Sequence, residues 1–211
     1  MILAVDTSAG TAVAVVSAEG VVLAERSEAS TMRHAEVIGD LIRDTLAAAG
    51  TPASDVSAVA SGMGPGPFTG LRIGIAAARA FAFGRGVPVV PVASHDAIAA
   101  AWFAENGALE PAAQVDLLVV TDARRREVAW SRYSGTDADA VPRRAAGPGL
   151  APVADAPPAG IRLDAAVVPA GELGRLAATA LRTGRALAAD QPLYLRSPDV
   201  TMPGPAKRVT G

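Results

Sequence analysis

The stretch Gly62-Met-Gly-Pro-Gly-Pro-Phe-Thr-Gly-Leu-Arg-Ile-Gly constrains this chain more than any other part of it. A β-rich run, residues 56–61, leads into it, and an apolar segment, residues 71–83, follows it directly. Strand, tight loop and helix start in that order make the βα unit of an α/β fold. Free amides at a helix start suit an anion. No Gly-Lys-Ser or Gly-Lys-Thr follows, so this is not a Walker loop, and the spacing is wrong for a dinucleotide fingerprint. Pro65 and Pro67 also remove two amides that would cradle phosphate. Thr69 reads as the N-cap of the helix. The residues alone leave a structural turn and an anion site both open.

The helix itself carries a second message. Between 71 and 83 only Arg72 and Arg79 are polar. A helix apolar on most of its circumference must be buried on most of it. In a subdomain of about 110 residues, a helix packed on one sheet face keeps a wet side. The expectation is therefore that one face meets a partner or a second copy. Gly74, Ala77, Ala78 and Ala82 would allow close approach. The competing explanation is that alanine is simply abundant in this chain.

Turn punctuation and periodicity give the element order. Strands are expected at 1–5, 11–16 and 21–25, separated by Asp6-Thr7-Ser8-Ala9-Gly10 and Glu19-Gly20. A helix follows, with Val37, Ile38, Leu41, Ile42, Thr45 and Leu46 on one face, and Gly50 stops it. Then come the strand 56–61, the helix 71–83, a strand at 87–92 and a helix at 94–103 that Ser94 can cap. The pattern breaks at 106–111. A hairpin, 115–121 with 127–133, turns through Asp122-Ala-Arg-Arg-Arg. Residues 135–160 read as irregular, 165–168 as a short strand, 172–183 as a helix and 193–196 as a last strand. The division expected is 1–105, 106–197 and a flexible tail, 198–211.

Composition excludes several classes. The 211 residues include no cysteine, which excludes a disulfide scaffold, a zinc finger, an iron–sulfur site and a cysteine nucleophile. Two histidines, His34 and His95, are too few for a histidine-rich metal site. His34 reads as a cap, surface or interface residue. The net charge of −2 gives no global basic character for stand-alone nucleic-acid binding. Arg124, Arg125 and Arg126 in the hairpin turn could still touch RNA phosphate or an acidic partner. No targeting segment and no run long enough to cross a bilayer are seen, so a cytoplasmic protein is expected. Asp6, Thr7 and Ser8, after the first strand, are candidates for a phosphate or nucleotide loop. They serve equally well as an Asx or Ser/Thr turn.

Three strings together carry a resemblance. Ile2-Leu-Ala-Val-Asp-Thr-Ser, then Gly64-Pro-Gly-Pro-Phe-Thr-Gly-Leu-Arg-Ile-Gly, then Gly86-Val-Pro-Val-Val-Pro-Val-Ala-Ser resemble the TsaB (YeaZ) family. Pro192-Leu-Tyr-Leu-Arg and Asp122-Ala-Arg-Arg-Arg-Glu-Val fit it as well. The likeness is close over 1–105 and looser beyond. Pro67 stands where the family usually has serine, and Trp130 where a tyrosine is common.

The resemblance implies an α/β, actin-like ATPase (ASKHA, RNase H-like) fold with two subdomains of mixed sheets flanked by helices. It implies a non-catalytic subunit of the bacterial machinery that makes threonylcarbamoyladenosine in tRNA. Its partners would be the catalytic paralogue TsaD and the ATPase TsaE, with tRNA reached through the complex and a homodimer available when alone. The partner face would be Val37, Leu41, Arg72, Ile73, Ala76, Ala77, Ala80 and Phe81. Gly64, Pro65, Gly66, Phe68, Thr69 and Gly70 form the family's motif loop. TsaD binds a metal through two histidines after its own Val-Pro-x-x-Pro-Val strand, and that pattern falls here on Ser94 and Ile98. The expectation is no metal, no cofactor and no catalytic residue. The alternative is an enzyme acting alone, a small actin-like phosphotransferase or a peptidase.

Overall fold

A computed structural model of the chain describes residues 1–30, 32–106 and 115–196. The expected tail, 198–211, and much of the expected boundary at 106–111 lie outside them. The first half runs β1 (Ile2–Asp6), β2 (Thr11–Val16), β3 (Val22–Glu28), α1 (His34–Ala48), β4 (Ala58–Gly62), α2 (Phe68–Arg85), β5 (Val89–Val92) and α3 (Ser94–Asn106). The second half runs β6 (Leu117–Asp122), β7 (Glu127–Thr136), β8 (Pro142–Pro152), β9 (Ile161–Asp164) and α4 (Ala170–Thr183).

The two halves share a plan. The first sheet has the order β3-β2-β1-β4-β5, antiparallel through β3, β2 and β1 and parallel through β1, β4 and β5. The second has the order β8-β7-β6-β9, antiparallel except for the parallel pair β6 and β9. Three meandering strands followed by a parallel fourth thus occur twice. Where the first half inserts α1 between its third and fourth strands, the second has a short turn, Val153–Asp155.

Period-two alternation sorts the side chains between two cores. Leu3, Val5, Val13 and Val15 face α1 and α2. Ile2, Ala4, Ala12, Ala14 and Val16 face the other way, into a core built with α3, α4 and Leu117, Val119 and Tyr133 of the second sheet. Helices α3 and α4 therefore lie between the sheets. α4, although late in the chain, packs on β1 and β2. The far face of the second sheet, Leu118, Val120 and Val128, is backed by Trp130, Ala156 and Ala159.

Several expectations need correction. β8 occupies 142–152, inside the stretch read as irregular. Pro142, Pro148 and Pro152 disguise it, yet they are tolerated because β8 is an edge strand whose register shifts against β7. The strand read at 165–168 is β9, four residues earlier, because pairing of Leu117 to Ile161 and Val119 to Leu163 sets the register. Residues 193–196 form no strand. Helix α2 starts at Phe68, not 71, with Pro67 as its N-cap and no side-chain cap bond, so Thr69 sits inside the first turn and does not cap it. Ser94 opens α3, but its hydroxyl is spent on Asp6. Gly50, at φ 60°, follows the last turn of α1 as expected.

Candidate functional site

The turn between β1 and β2 is packed against the motif loop. Asp6 is 1% exposed, and its Oδ1 accepts from the Ser8 amide at 2.7 Å and the Ser8 hydroxyl at 2.6 Å. Its Oδ2 accepts from the Ser94 hydroxyl at 2.5 Å, and Ser94 Oγ in turn accepts from the Gly64 amide at 3.0 Å. Burial raises the Asp6 carboxyl above its usual range, and the serine donors oppose that rise. Thr7 Oγ1 donates to the Gly70 carbonyl at 2.7 Å and accepts from the Gly74 amide at 3.0 Å. One hydroxyl thus bridges the two backbone groups that would otherwise pair across a single turn of α2.

This contact accounts for Gly62, Gly66, Gly70 and Gly74 of the motif, while Gly64 is set by its φ of 90°. A Cβ at Gly74 would overlap the Thr7 hydroxyl, and one at Gly62 would overlap the Asp6 carboxylate. Gly66 and Gly70 are similarly pressed, against the Ser8 backbone and against His34 and Thr7. Asp6, Thr7 and Ser8 are brought together with Gly64, Pro65, Gly66 and Gly70, and their polar atoms are turned onto the chain itself. His34 is buried beside them, its Nδ1 2.7 Å from Thr11 Oγ1, and burial lowers its pKa.

A second polar cluster lies between the sheets. His95 is buried, with Nδ1 2.9 Å from Ser131 Oγ and Nε2 2.9 Å from Thr121 Oγ1. Desolvation pushes its pKa down to about 3, so the ring is neutral at pH 7. Next to it the Tyr133 hydroxyl donates to Asp96 Oδ1 at 2.7 Å, and Arg144 donates to the same oxygen through Nη2 at 2.6 Å and Nε at 3.2 Å. These groups tie α3 to β6, β7 and β8. Neither Asp96 nor Arg144 stands out in the sequence; the Ser94-His-Asp helix start was the only signal.

Helix α2 divides lengthwise. Leu71, Ile75, Ala78 and Ala82 are buried. Ala76 and Ala80 are exposed, while Ile73, Ala77 and Phe81 are half-buried, as are Val37 and Leu41 on α1. Phe83, near the helix end, is 91% exposed. The residues expected to face a partner thus share one side of the molecule.

The end of the chain borders this side. Residues 190–194 run back along α2. Leu193 donates its amide to the Met63 carbonyl at 2.8 Å. Asp190 pairs with Arg79 at 2.8 Å. The Tyr194 ring lies 4.7 Å from that of Phe68, and the Arg72 guanidinium sits 3.8 Å over Phe68 while its Nε donates to Tyr194 Oη at 3.0 Å. The sequence reading missed this strap, because only its contacts define it.

Arg124, Arg125 and Arg126 take φ values of 66°, 56° and 63° in the β6–β7 turn, a left-handed run costing about 1–2 kcal/mol per residue. Arg124 and Arg125, with Gly66–Thr69 and Tyr194–Arg196, line a cavity of about 430 Å³. A larger cavity, about 980 Å³, opens beside Ile2 at the other end of β1 and touches none of the motif residues. Among the described residues no group of three or more His, Asp or Glu side chains is placed to hold a metal. No helix among them is long and apolar enough to cross a membrane.

Comparison with known proteins fits this architecture. The family profile described as TsaD, tRNA N6-adenosine threonylcarbamoyltransferase, matches residues 21–173. A protein of Mycobacterium tuberculosis is 42% identical over 159 residues, 74% of this chain and 67% of that one. The Escherichia coli tRNA threonylcarbamoyladenosine biosynthesis protein TsaB is 35% identical over 132 residues, and the match spans 63% of this chain and 54% of that protein. The solved structure of YeaZ from Pseudomonas aeruginosa superposes with a TM-score of 0.75 at 30% identity, covering 92% of this chain and 99% of that one. A TsaD of Streptococcus pneumoniae matches over only 65 residues, 19% of its own length. The TsaD profile spans 21–173 and that TsaD relative matches over a short stretch, while the YeaZ likeness is nearly end to end, and the chain belongs to the TsaB (YeaZ) family, with the actin-like fold of that family.

Proposed function

We propose that this chain is a non-catalytic subunit of the tRNA threonylcarbamoyladenosine machinery that docks a TsaD-type transferase through α1 and α2. The observation that carries the reading is the side of α2 holding Ile73, Ala76, Ala77, Ala80 and Phe81, which the chain's own core leaves exposed or half-exposed. The motif loop supports the docking indirectly. Its glycines let Thr7 grip the first turns of α2, so the helix is held rigidly when a partner meets it. A preorganised face loses little freedom on binding. In this reading residues 1–105 carry the docking surface and 106–197 a smaller subdomain. TsaE joins the pair, tRNA is met through the complex, and the work is done in the cytoplasm. Asp6, Thr7 and Ser8 act as a packing device and bind no nucleotide.

The test is reconstitution. TsaD and TsaE of the same organism, tRNA, ATP and threonylcarbamoyl-adenylate are combined with and without this chain, and modified adenosine is measured. The expected result is modification that depends on the chain and is lost with Ala76→Glu or Ala77→Asp. Ala76 is exposed, so its variant should melt like the wild type. Full modification without the chain, or with Ala76→Glu, would overturn the reading.

A further inference from the structure

Two arginines edge the apolar side of α2, and the strap treats them differently. Arg79 is neutralised by Asp190. Arg72 has no carboxylate among the described residues. Its guanidinium is stacked on Phe68 and its Nε is spent on Tyr194 Oη, and no other hydrogen bond holds it there. The side chain is exposed yet fixed in direction by two aromatic rings, Phe68 one turn back on α2 and Tyr194 from the strap. An arginine whose position is set before binding keeps its remaining N–H donors for a planar acceptor. Arginine, with tryptophan and tyrosine, is enriched at the energetic hot spots of protein interfaces.

We propose that Arg72, oriented by Phe68 and Tyr194, is the charged anchor of the α2 docking face and receives a carboxylate of the partner. The partner surface is then an apolar patch flanked by an aspartate or glutamate. Charge complementarity selects it: Arg72 is the edge cation that the strap leaves unneutralised. The strap thereby shapes the interface through a residue about 120 positions away in sequence. This inference rests on the docking role proposed above.

The experiment titrates the full chain against TsaD of the same organism at several salt concentrations. Arg72→Gln is expected to weaken binding about 10- to 100-fold and to flatten its salt dependence, since an ion pair is what salt screens. Arg72→Lys keeps the charge but loses the fork and the stack, and is expected to weaken binding about tenfold. Tyr194→Phe keeps the ring and removes the hydroxyl that holds Nε, and should fall between wild type and Arg72→Lys. Ala76→Glu serves as the control for the face itself. If Ala76→Glu abolishes binding while Arg72→Gln leaves affinity and salt slope unchanged, the anchor is wrong and the docking face stands. If Ala76→Glu binds normally, the docking face fails and the anchor with it. If the chain alone forms a dimer that Arg72→Gln dissociates, the occupant is a second copy, which overturns the proposed partner.

Discussion

Replacing Tyr133 with phenylalanine tests whether the polar cluster between the sheets contributes to stability as its geometry implies. Tyr133 is fully buried, so the phenyl ring fills the same space and no cavity opens. What is lost is a 2.7 Å hydrogen bond to Asp96 Oδ1. Burial and the neighbouring carboxylate hold the phenol well above its usual pKa, so it is a neutral donor throughout the accessible range. A hydrogen bond to a charged acceptor is worth about 1.5–3 kcal/mol. Asp96 keeps both bonds from Arg144, so the carboxylate is not stranded and the lower half of that range applies, roughly 1.5–2 kcal/mol. For a chain of this size that loss lowers Tm by about 3–8 °C. Thermal melting and urea titration of the two proteins side by side read it, with the midpoint falling and the slope unchanged. A Tm within 1 °C of wild type would refute the reasoning. So would a loss above 4 kcal/mol, which would mean that the two halves had separated.

Burial of His95 and the close packing at Gly74 each have a measurable consequence. His95 has its pKa pushed down to about 3 in the fold, against about 6.5 when unfolded, so between those values the unfolded chain binds the extra proton and stability falls as pH is lowered. Its share approaches about 1.4 kcal/mol per pH unit; His34, also lowered, adds in the same sense, while Asp6, raised by burial, opposes nearer its own titration. Urea midpoints between pH 5 and 7 should show this slope, and His95→Gln should flatten it; an unchanged slope would mean that His95 is not the group responsible. Gly74→Val should destabilise the chain by about 2 kcal/mol or more, because its side chain has to displace the Thr7 hydroxyl from between two turns of α2. Gly84→Val, where no atom lies within 4 Å, is the control, and equal losses at both positions would defeat the packing account of the motif.

The elements β1 to β7 and helices α1 to α4 were legible, because glycine punctuation and period-two or helical spacing are local properties. β8 was hidden by its prolines, which only an edge position makes acceptable. β9 was displaced because a four-residue strand is fixed by its partner in the sheet. In the site, the motif glycines were conspicuous, but their purpose was not. A Gly-Pro-rich loop before a helix reads equally well as an anion cradle, and only the fold shows Thr7 and Asp6 already occupying the space.

By itself the sequence determined the family, the order of strands and helices in the first half, and the presence of a helix with too few polar residues to be wholly surrounded by water. Those follow from residue type and spacing along the chain. The tertiary structure decided which side of α2 stays uncovered, that Arg72 is held by Tyr194, and that His95, Asp96, Tyr133 and Arg144 join the two sheets. Each of these depends on contacts between residues tens to more than a hundred positions apart. No local pattern encodes such contacts, because packing against distant residues sets burial and hydrogen-bond partners.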